Sequence, residues 1–229
     1  MKKLIILGII ALAHAVQAGY LEDGNSYYKN KNYQKAEQMY LKAIQENNVE
    51  GMTNLGQLYY KQGKYEEAEQ MYLNAIQKGN TNAMYNLAIL YEDQKKYNEA
   101  EQMYLNAVQK SNVDAMFNLG LLYFKQEKYN KAEQMFLKAI QKEDIEAMNN
   151  LGVLYRKQNK DGKAEQMFLK AIQKDYIPAM FNLGKLYIDQ KKYNKAKKYF
   201  KMAIDLGDEN NLATKEAQEV YKKMIQAGY

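Results

Sequence analysis

Side chains able to do covalent or proton-transfer chemistry are scarce in these 229 residues. There is no cysteine and a single histidine, His14. Thiol nucleophiles, disulfides, Cys- or His-ligated zinc and most histidine acid–base chemistry are therefore excluded. Glu69, Glu101, Glu133 and Glu165 stand out because they recur identically, 32 residues apart. A hydrolytic pair needs two carboxyl groups converging on one bond. One identical group per segment reads instead as solvated charge on an outer face. No Gly-rich loop ending in Lys-Ser or Lys-Thr is present to cradle a phosphate. What remains is binding chemistry: asparagine amides, which donate and accept together, and aromatic or aliphatic surface. Neither enzymatic activity, a metal nor a required cofactor is expected.

Lysine and arginine outnumber acids 33 to 27, a net +6. Frequent Lys-Tyr pairs hint at nucleic acid, but the tyrosines follow the spacing of buried positions and the lysines spread over turns and outer faces. Nucleic acid is not an expected partner. The positive balance favours, at most, a weak and salt-sensitive attraction to anionic polymers or acidic partners.

The elements that must position the binding residues are announced by self-similarity. Ala-Glu-Gln-Met begins at Ala36, Ala68, Ala100, Ala132 and Ala164, with a degraded copy at Ala196. A second marker, Asn-Leu-Gly or Asn-Leu-Ala, begins at Asn54, Asn86, Asn118, Asn150 and Asn182. Both advance by 32 residues. The spacing divides the chain into six repeats, 19–50, 51–82, 83–114, 115–146, 147–178 and 179–210, followed by a tail over 211–229.

Each repeat predicts two amphipathic helices. In the third, Met84, Leu87, Ala88 and Tyr91 fall at i, i+3, i+4 and i+7, one face of a first helix. Ala100, Tyr104, Ala107 and Val108 make one face of a second. The short polar link Asp93-Gln94-Lys95-Lys96 makes the two antiparallel neighbours. Gly56, Gly120, Gly152 and Gly184 sit inside first helices, where glycine costs about 1 kcal/mol against alanine. That recurring cost implies a neighbour too close for a larger side chain, with Tyr91, Tyr97 and Tyr104 filling the adjoining space. Asn48, Asn80, Asn112 and Asp144 are placed to cap first helices, and Pro178 suits a first turn. Asp161-Gly162 stands where the fourth repeat has Tyr129-Asn130, which predicts a softer fifth repeat. Ala213, Ala217, Val220, Tyr221 and Met224 share one face of a helix in the tail, which reads as a cap.

Residues 1–18 read differently. Lys2 and Lys3 precede an unbroken apolar run from Leu4 to Ala13, and small residues follow. This is the pattern of a bacterial secretory signal peptide cleaved after Ala15 or Ala18. The run is shorter than the about 20 residues a membrane span needs. The expected location is exported, periplasmic or secreted, with no integral span after cleavage. Removing residues 1–18 leaves 31 basic residues against 27 acidic ones, net +4, and no histidine.

Asn118-Leu119-Gly120-Leu121-Leu122-Tyr123 followed by Lys128-Tyr129-Asn130-Lys131-Ala132 resembles the tetratricopeptide repeat through both helices and their turn. The joins, as from Ala68-Glu69-Gln70-Met71-Tyr72 through Ala75, Gly79 and Ala83 to Leu87, have the shorter spacing of Sel-one-like repeats. The resemblance covers 19–210. It implies an all-α, right-handed α-solenoid of six helix-turn-helix repeats plus a C-terminal capping helix. It also implies a non-enzymatic protein-interaction scaffold of the cell envelope. Related proteins hold an extended or helical peptide in a concave groove lined by first helices. The corresponding residues here are Asn54, Asn86, Asn118, Asn150 and Asn182, with Tyr85, Ile89, Phe117, Leu121, Phe124 and Val153 as an apolar patch. The asparagines divide evenly between a structural and a binding reading. Asn25 and Asn54 match two places of the carboxylate clamp of some tetratricopeptide domains. Leu21, Asn82 and Asn86 stand where its positive charges belong, so that mode is not expected. The alternative function is a structural or self-associating envelope protein. It would use a convex ridge of Leu41, Leu73, Leu105, Leu137 and Leu169.

Overall fold

The computed structural model describes residues 19–208 and 210–229. The expected leader and its cleavage point lie outside the described residues. All regular structure among those described is helical: α1 over 19–29, α2 Tyr33–Gln45, α3 Val49–Lys61, α4 Tyr65–Gln77, α5 Thr81–Asp93, α6 Tyr97–Gln109, α7 Val113–Lys125, α8 Tyr129–Ile140, α9 Ile145–Lys157, α10 Asp161–Ile172, α11 Ile177–Asp189, α12 Tyr193–Leu206 and α13 Leu212–Gln226. This is the expected all-α fold of consecutive helix-turn-helix repeats. The chain forms two compact units, Met1–Ala115 and Met116–Tyr229. In the first, α3 packs on α4, α5 on α6, and α3 also touches α5. In the second, α9 packs on α10, α11 on α12, α9 touches α11, and α13 lies against α12 and α11. No helix of the described residues is long and apolar enough to cross a membrane.

First helices begin at side-chain caps. The Oδ1 atoms of Asn48, Asn80, Asn112 and Asp144 accept from the backbone N–H three residues on, at 3.0, 3.0, 2.7 and 2.6 Å. Each satisfies a donor that the first helical turn leaves unpaired. In α11 the cap residue is Tyr176, without a side-chain bond, and Pro178 occupies the first turn. Second helices have no such device from α4 onward: Lys64, Lys96, Lys128, Lys160 and Lys192 precede them without a cap bond.

The links turn instead through one left-handed residue each. Lys31, Lys95, Glu127, Asn159 and Lys191 have φ between 57° and 60°, and Gly63 takes the same place at φ 75°. A β-carbon is unfavourable in that region by about 1–2 kcal/mol. Glu127→Gly should therefore raise stability by about 1 kcal/mol after the extra chain entropy of glycine is deducted. In a thermal melt that is an upward shift of about 2–4 °C. A variant that melts below wild type would contradict the backbone assignment at this link.

The core is a row of rings set into notches. Tyr40, Tyr72, Tyr104, Phe136, Phe168 and Phe200 are all fully buried. Opposite five of them stand glycines of the first helices. A β-carbon at Gly24 or Gly56 would lie 2.6 or 2.7 Å from the ring of Tyr40 or Tyr72. At Gly120, Gly152 and Gly184 it would lie 2.7, 2.6 and 2.6 Å from Phe136, Phe168 and Phe200. The helical glycines thus admit the edge of an aromatic ring. Tyr104 is buried, as expected, with Ala88 rather than glycine at the matching first-helix position, but Tyr97 lies exposed at the start of α6. In the fifth repeat Asp161 replaces the turn aromatic and accepts from Gln190 Nε2 at 3.2 Å.

Candidate interaction face on the first helices

The recurring glutamates are not solvated charge, contrary to expectation. Glu37, Glu69, Glu133 and Glu165 are half-buried. Each accepts from the tyrosine hydroxyl 22 residues later, Tyr59, Tyr91, Tyr155 and Tyr187, at 2.7–2.8 Å. The bond runs from the second helix of one repeat to the first helix of the next. Lysines cover the rings: Lys64 lies 5.2 Å from the Tyr59 centroid and Lys163 5.3 Å from that of Tyr155. Burial, reinforced by the carboxylate as acceptor, pushes the phenols of Tyr59 and Tyr155 up to about 12. Tyr91 and Tyr187 are raised further, again by burial first and by Glu69 and Glu165 second. These groups join repeats and leave the first helices to carry the candidate site.

In the first unit the face is built by α1, α3 and α5. Asn54 Nδ2 donates to Asn25 Oδ1 at 2.8 Å, and the Tyr40 hydroxyl donates to the same oxygen at 2.9 Å. Farther along, the Tyr60 hydroxyl donates to Asp93. Tyr85 packs against Tyr104 with ring centroids 6.2 Å apart, and the Tyr104 hydroxyl donates to Glu92 at 3.1 Å. Tyr85, Asn86 and Ile89 are half-buried.

In the second unit Phe117, Asn118, Leu121 and Phe124 of α7 are half-buried, as are Asn150 and Val153 of α9. Phe117 leans on Phe136 at 6.1 Å and Phe124 on Tyr129 at 6.0 Å. Asn182 Nδ2 donates to Asn149 Oδ1 at 2.9 Å, and Asn150 Nδ2 donates to the Glu146 carbonyl at 2.9 Å. Arg156 pairs with Asp189. Phe181, which shares a row with Phe117, is buried against Phe200 under Lys185. Two open cavities of about 520 Å³ flank this face. Val153, Arg156, Lys157 and Asp189 line one; Phe181, Asn182, Lys185, Leu212 and Glu216 line the other.

The asparagine row therefore divides. Asn54 and Asn182 tie successive first helices together, and Asn150 bonds its own helix. Of the expected apolar patch, Tyr85 and Ile89 belong to the first unit and Phe117, Leu121, Phe124 and Val153 to the second. All six are partly accessible. Missed from the sequence were the cross-repeat partners Asn25, Asp93, Asn149 and Asp189. The signal for them was the offset of 29 or 33 residues between polar pairs, close to one repeat length.

The Tetratricopeptide repeat model matches residues 21–83 and 53–115, and related models of the same description match 113–143, 145–174 and 177–207. No curated protein matches the sequence. Among solved structures, the chain is similar to Pseudomonas aeruginosa PilF, with TM-score 0.71, 19% identity, and coverage of 90% of this chain and 98% of that one. It is also similar to a Sel1 repeat protein from Oxalobacter formigenes, with TM-score 0.65, 26% identity, and coverage of 86% and 87%. A protective antigen of uropathogenic Escherichia coli displaying an SLR fold gives TM-score 0.70 and 24% identity. The alignment takes in 92% of this chain but 51% of that antigen, so this chain spans about half its length. Recurring helix pairs, rings seated on small residues and family matches along most of its length agree: the chain belongs to the tetratricopeptide-repeat family, with Sel1-like relatives.

Proposed function

We propose that this protein is a non-enzymatic interaction scaffold that holds a partner peptide or helix on the face of its first helices. Tetratricopeptide repeats generally mediate protein–protein interaction. The observation that carries the finer reading is the cross-bonding of successive first helices, Asn54 to Asn25 and Asn182 to Asn149. Within each unit it ties first helices together, and Tyr85 and Ile89 stay partly accessible in the first unit, Phe117, Leu121, Phe124 and Val153 in the second. A preorganised surface loses little entropy when a guest binds. Apolar side chains supply the affinity. Asn86, half-buried beside Tyr85 and Ile89, is placed to orient the guest in the first unit. The lysine-led apolar stretch at residues 1–18 supports placing this activity in the bacterial envelope or outside the cell.

The test is co-purification from native envelope extract with wild type and with Phe117→Glu, Leu121→Lys, after matched helicity is established. A partner captured by wild type and reduced at least about tenfold by the variant is the expected result. Equal capture by both would place the contact elsewhere. The second reading would then lead, because Leu41 and Leu137 on the second helices are 43% and 42% exposed.

A further inference from the structure

The last second helix departs from the other five, and three of its departures, at 197, 198 and 201, put lysine where the others carry an acidic or uncharged residue. In α2, α4, α6, α8 and α10 the repeat alanine is followed by Glu-Gln, and a leucine comes three residues later. In α12 the corresponding positions are Lys197, Lys198 and Lys201. The preceding turn adds Lys191 and Lys192, the first turn of α12 adds Lys195, and no acidic residue occurs between Asp189 and Asp205. Losing the glutamate has a structural reason, since Glu219 stands 22 residues on, where the earlier repeats carry the bonding tyrosine. Gaining lysine at all three places does not follow from that. A solvated terminal face is served equally by mixed charges, and a single-sign cluster repels itself.

The lysines share a surface with apolar tips. Lys191, Lys195, Lys198 and Lys201 are exposed, and the last three run along one side of α12 at i, i+3 and i+6. Lys195 and Lys198 lie over the rings of Tyr187 and Tyr199, at 5.2 and 5.6 Å, which orients their ammonium groups. Where α12 begins, the ring of Tyr229 stacks on Tyr193 at 3.9 Å. The two rings border a shallow cavity of about 390 Å³ together with Lys191, Lys192 and Lys195. Tyr229 is held there by its N–H, which donates to the Met224 carbonyl at 3.0 Å. The same turn leaves Ile225 51% exposed.

We propose that this end of the second unit, residues 191–195, the outer side of α12 and the turn 225–229, docks on an anionic phospholipid surface. Ammonium groups meet the headgroups, and the phenols and the isoleucine enter the interfacial layer, where amphipathic rings are favoured. A soluble acidic polymer would use the lysines but would gain nothing from the exposed Tyr–Ile tip. The proposal is independent of the first-helix face.

The test sediments the full chain with vesicles of equimolar phosphatidylglycerol and phosphatidylcholine, and with phosphatidylcholine alone. Whatever residues 1–18 add is common to all variants. Lys191→Gln, Lys198→Gln, Lys201→Gln should weaken the phosphatidylglycerol-dependent binding by about 100-fold at low salt, roughly fivefold per lysine. Lys128→Gln, Lys131→Gln, in the corresponding turn of the fourth repeat, should leave it unchanged. Ile225→Ser, Tyr229→Ser should weaken vesicle binding while leaving any binding to soluble polyglutamate intact. Wild-type sedimentation of the triple-lysine variant overturns the proposal. So does polyglutamate binding that matches vesicle binding and ignores the Ile225 and Tyr229 changes, which would assign the patch to an acidic polymer.

Discussion

Phe168→Ala is expected to cost about 3–5 kcal/mol of stability, near the top of the range for truncating a buried ring. Phe168 is fully buried in α10, and its ring edge faces the backbone of α9 at Gly152. Because glycine has no side chain to swing into the space, the vacated volume stays open, and the cavity adds to the lost transfer free energy. The converse change, Gly152→Ala, sets a β-carbon 2.6 Å from the same ring. The ring has nowhere to retreat, so overpacking costs about 1–3 kcal/mol. Combining the two should recover part of the sum, since the added methyl enters the space the ring left, and contacting sites are non-additive. Urea titrations of wild type, both single variants and the double variant measure this directly. A single Phe168→Ala loss below about 1 kcal/mol, or strict additivity, would show that ring and notch are not mechanically coupled.

That coupling was half legible. Glycine inside a helix signals close approach, and its recurrence at Gly56, Gly120, Gly152 and Gly184 marked the helix face concerned. Which atoms approach was not readable, because Tyr91, Tyr97 and Tyr104 are equally aromatic in sequence. Only the fold separates Tyr104, fully buried, from Tyr97, exposed at the start of α6. The caps at Asn48, Asn80 and Asn112 were readable, since each needs only a partner three residues away, whereas those at Asn32 and Asn211 were not read. Left-handed links were not: Gly63 advertises one, whereas Lys95 and Glu127 adopt the same backbone without a glycine.

The candidate face shows the same divide between local and long-range information. Position and side-chain type of Asn54, Phe117 and Leu121 followed from the repeat. The partner of Asn54 depends on Asn25 in the preceding repeat, and no local pattern connects them. Phe117 and Phe181 occupy equivalent places, yet Phe181 is buried, on α11, the first helix against which α13 packs. The glutamates were misread because each was taken alone. Set beside Tyr59, Tyr91, Tyr155 and Tyr187, which advance in the same step, they form a second periodic set at a constant offset.

Those tyrosines make alkaline unfolding the other large expected effect. Burial, before any neighbouring charge, raises the phenols of Tyr40, Tyr59, Tyr60 and Tyr155 to about 12. It raises Tyr72, Tyr91, Tyr104 and Tyr187 further. In the unfolded chain the same phenols ionise near about 10. The folded state therefore holds protons that the unfolded state releases, and their contribution is complete below pH about 10. It is lost as pH rises from there through the folded values of about 12 and above. Helicity should thus collapse cooperatively between pH about 10 and 12, with the tyrosinate absorbance of these buried phenols rising in the same step. Tyr155→Phe should move that step to higher pH, because one fewer buried phenol must ionise. At neutral pH the same variant should be less stable, toward the low end of about 1.5–3 kcal/mol, since half-buried Glu133 loses a donor but keeps some water. Phenols that titrate smoothly near their ordinary value while the helices persist would mean that the glutamate–tyrosine bonds do not hold the repeats together.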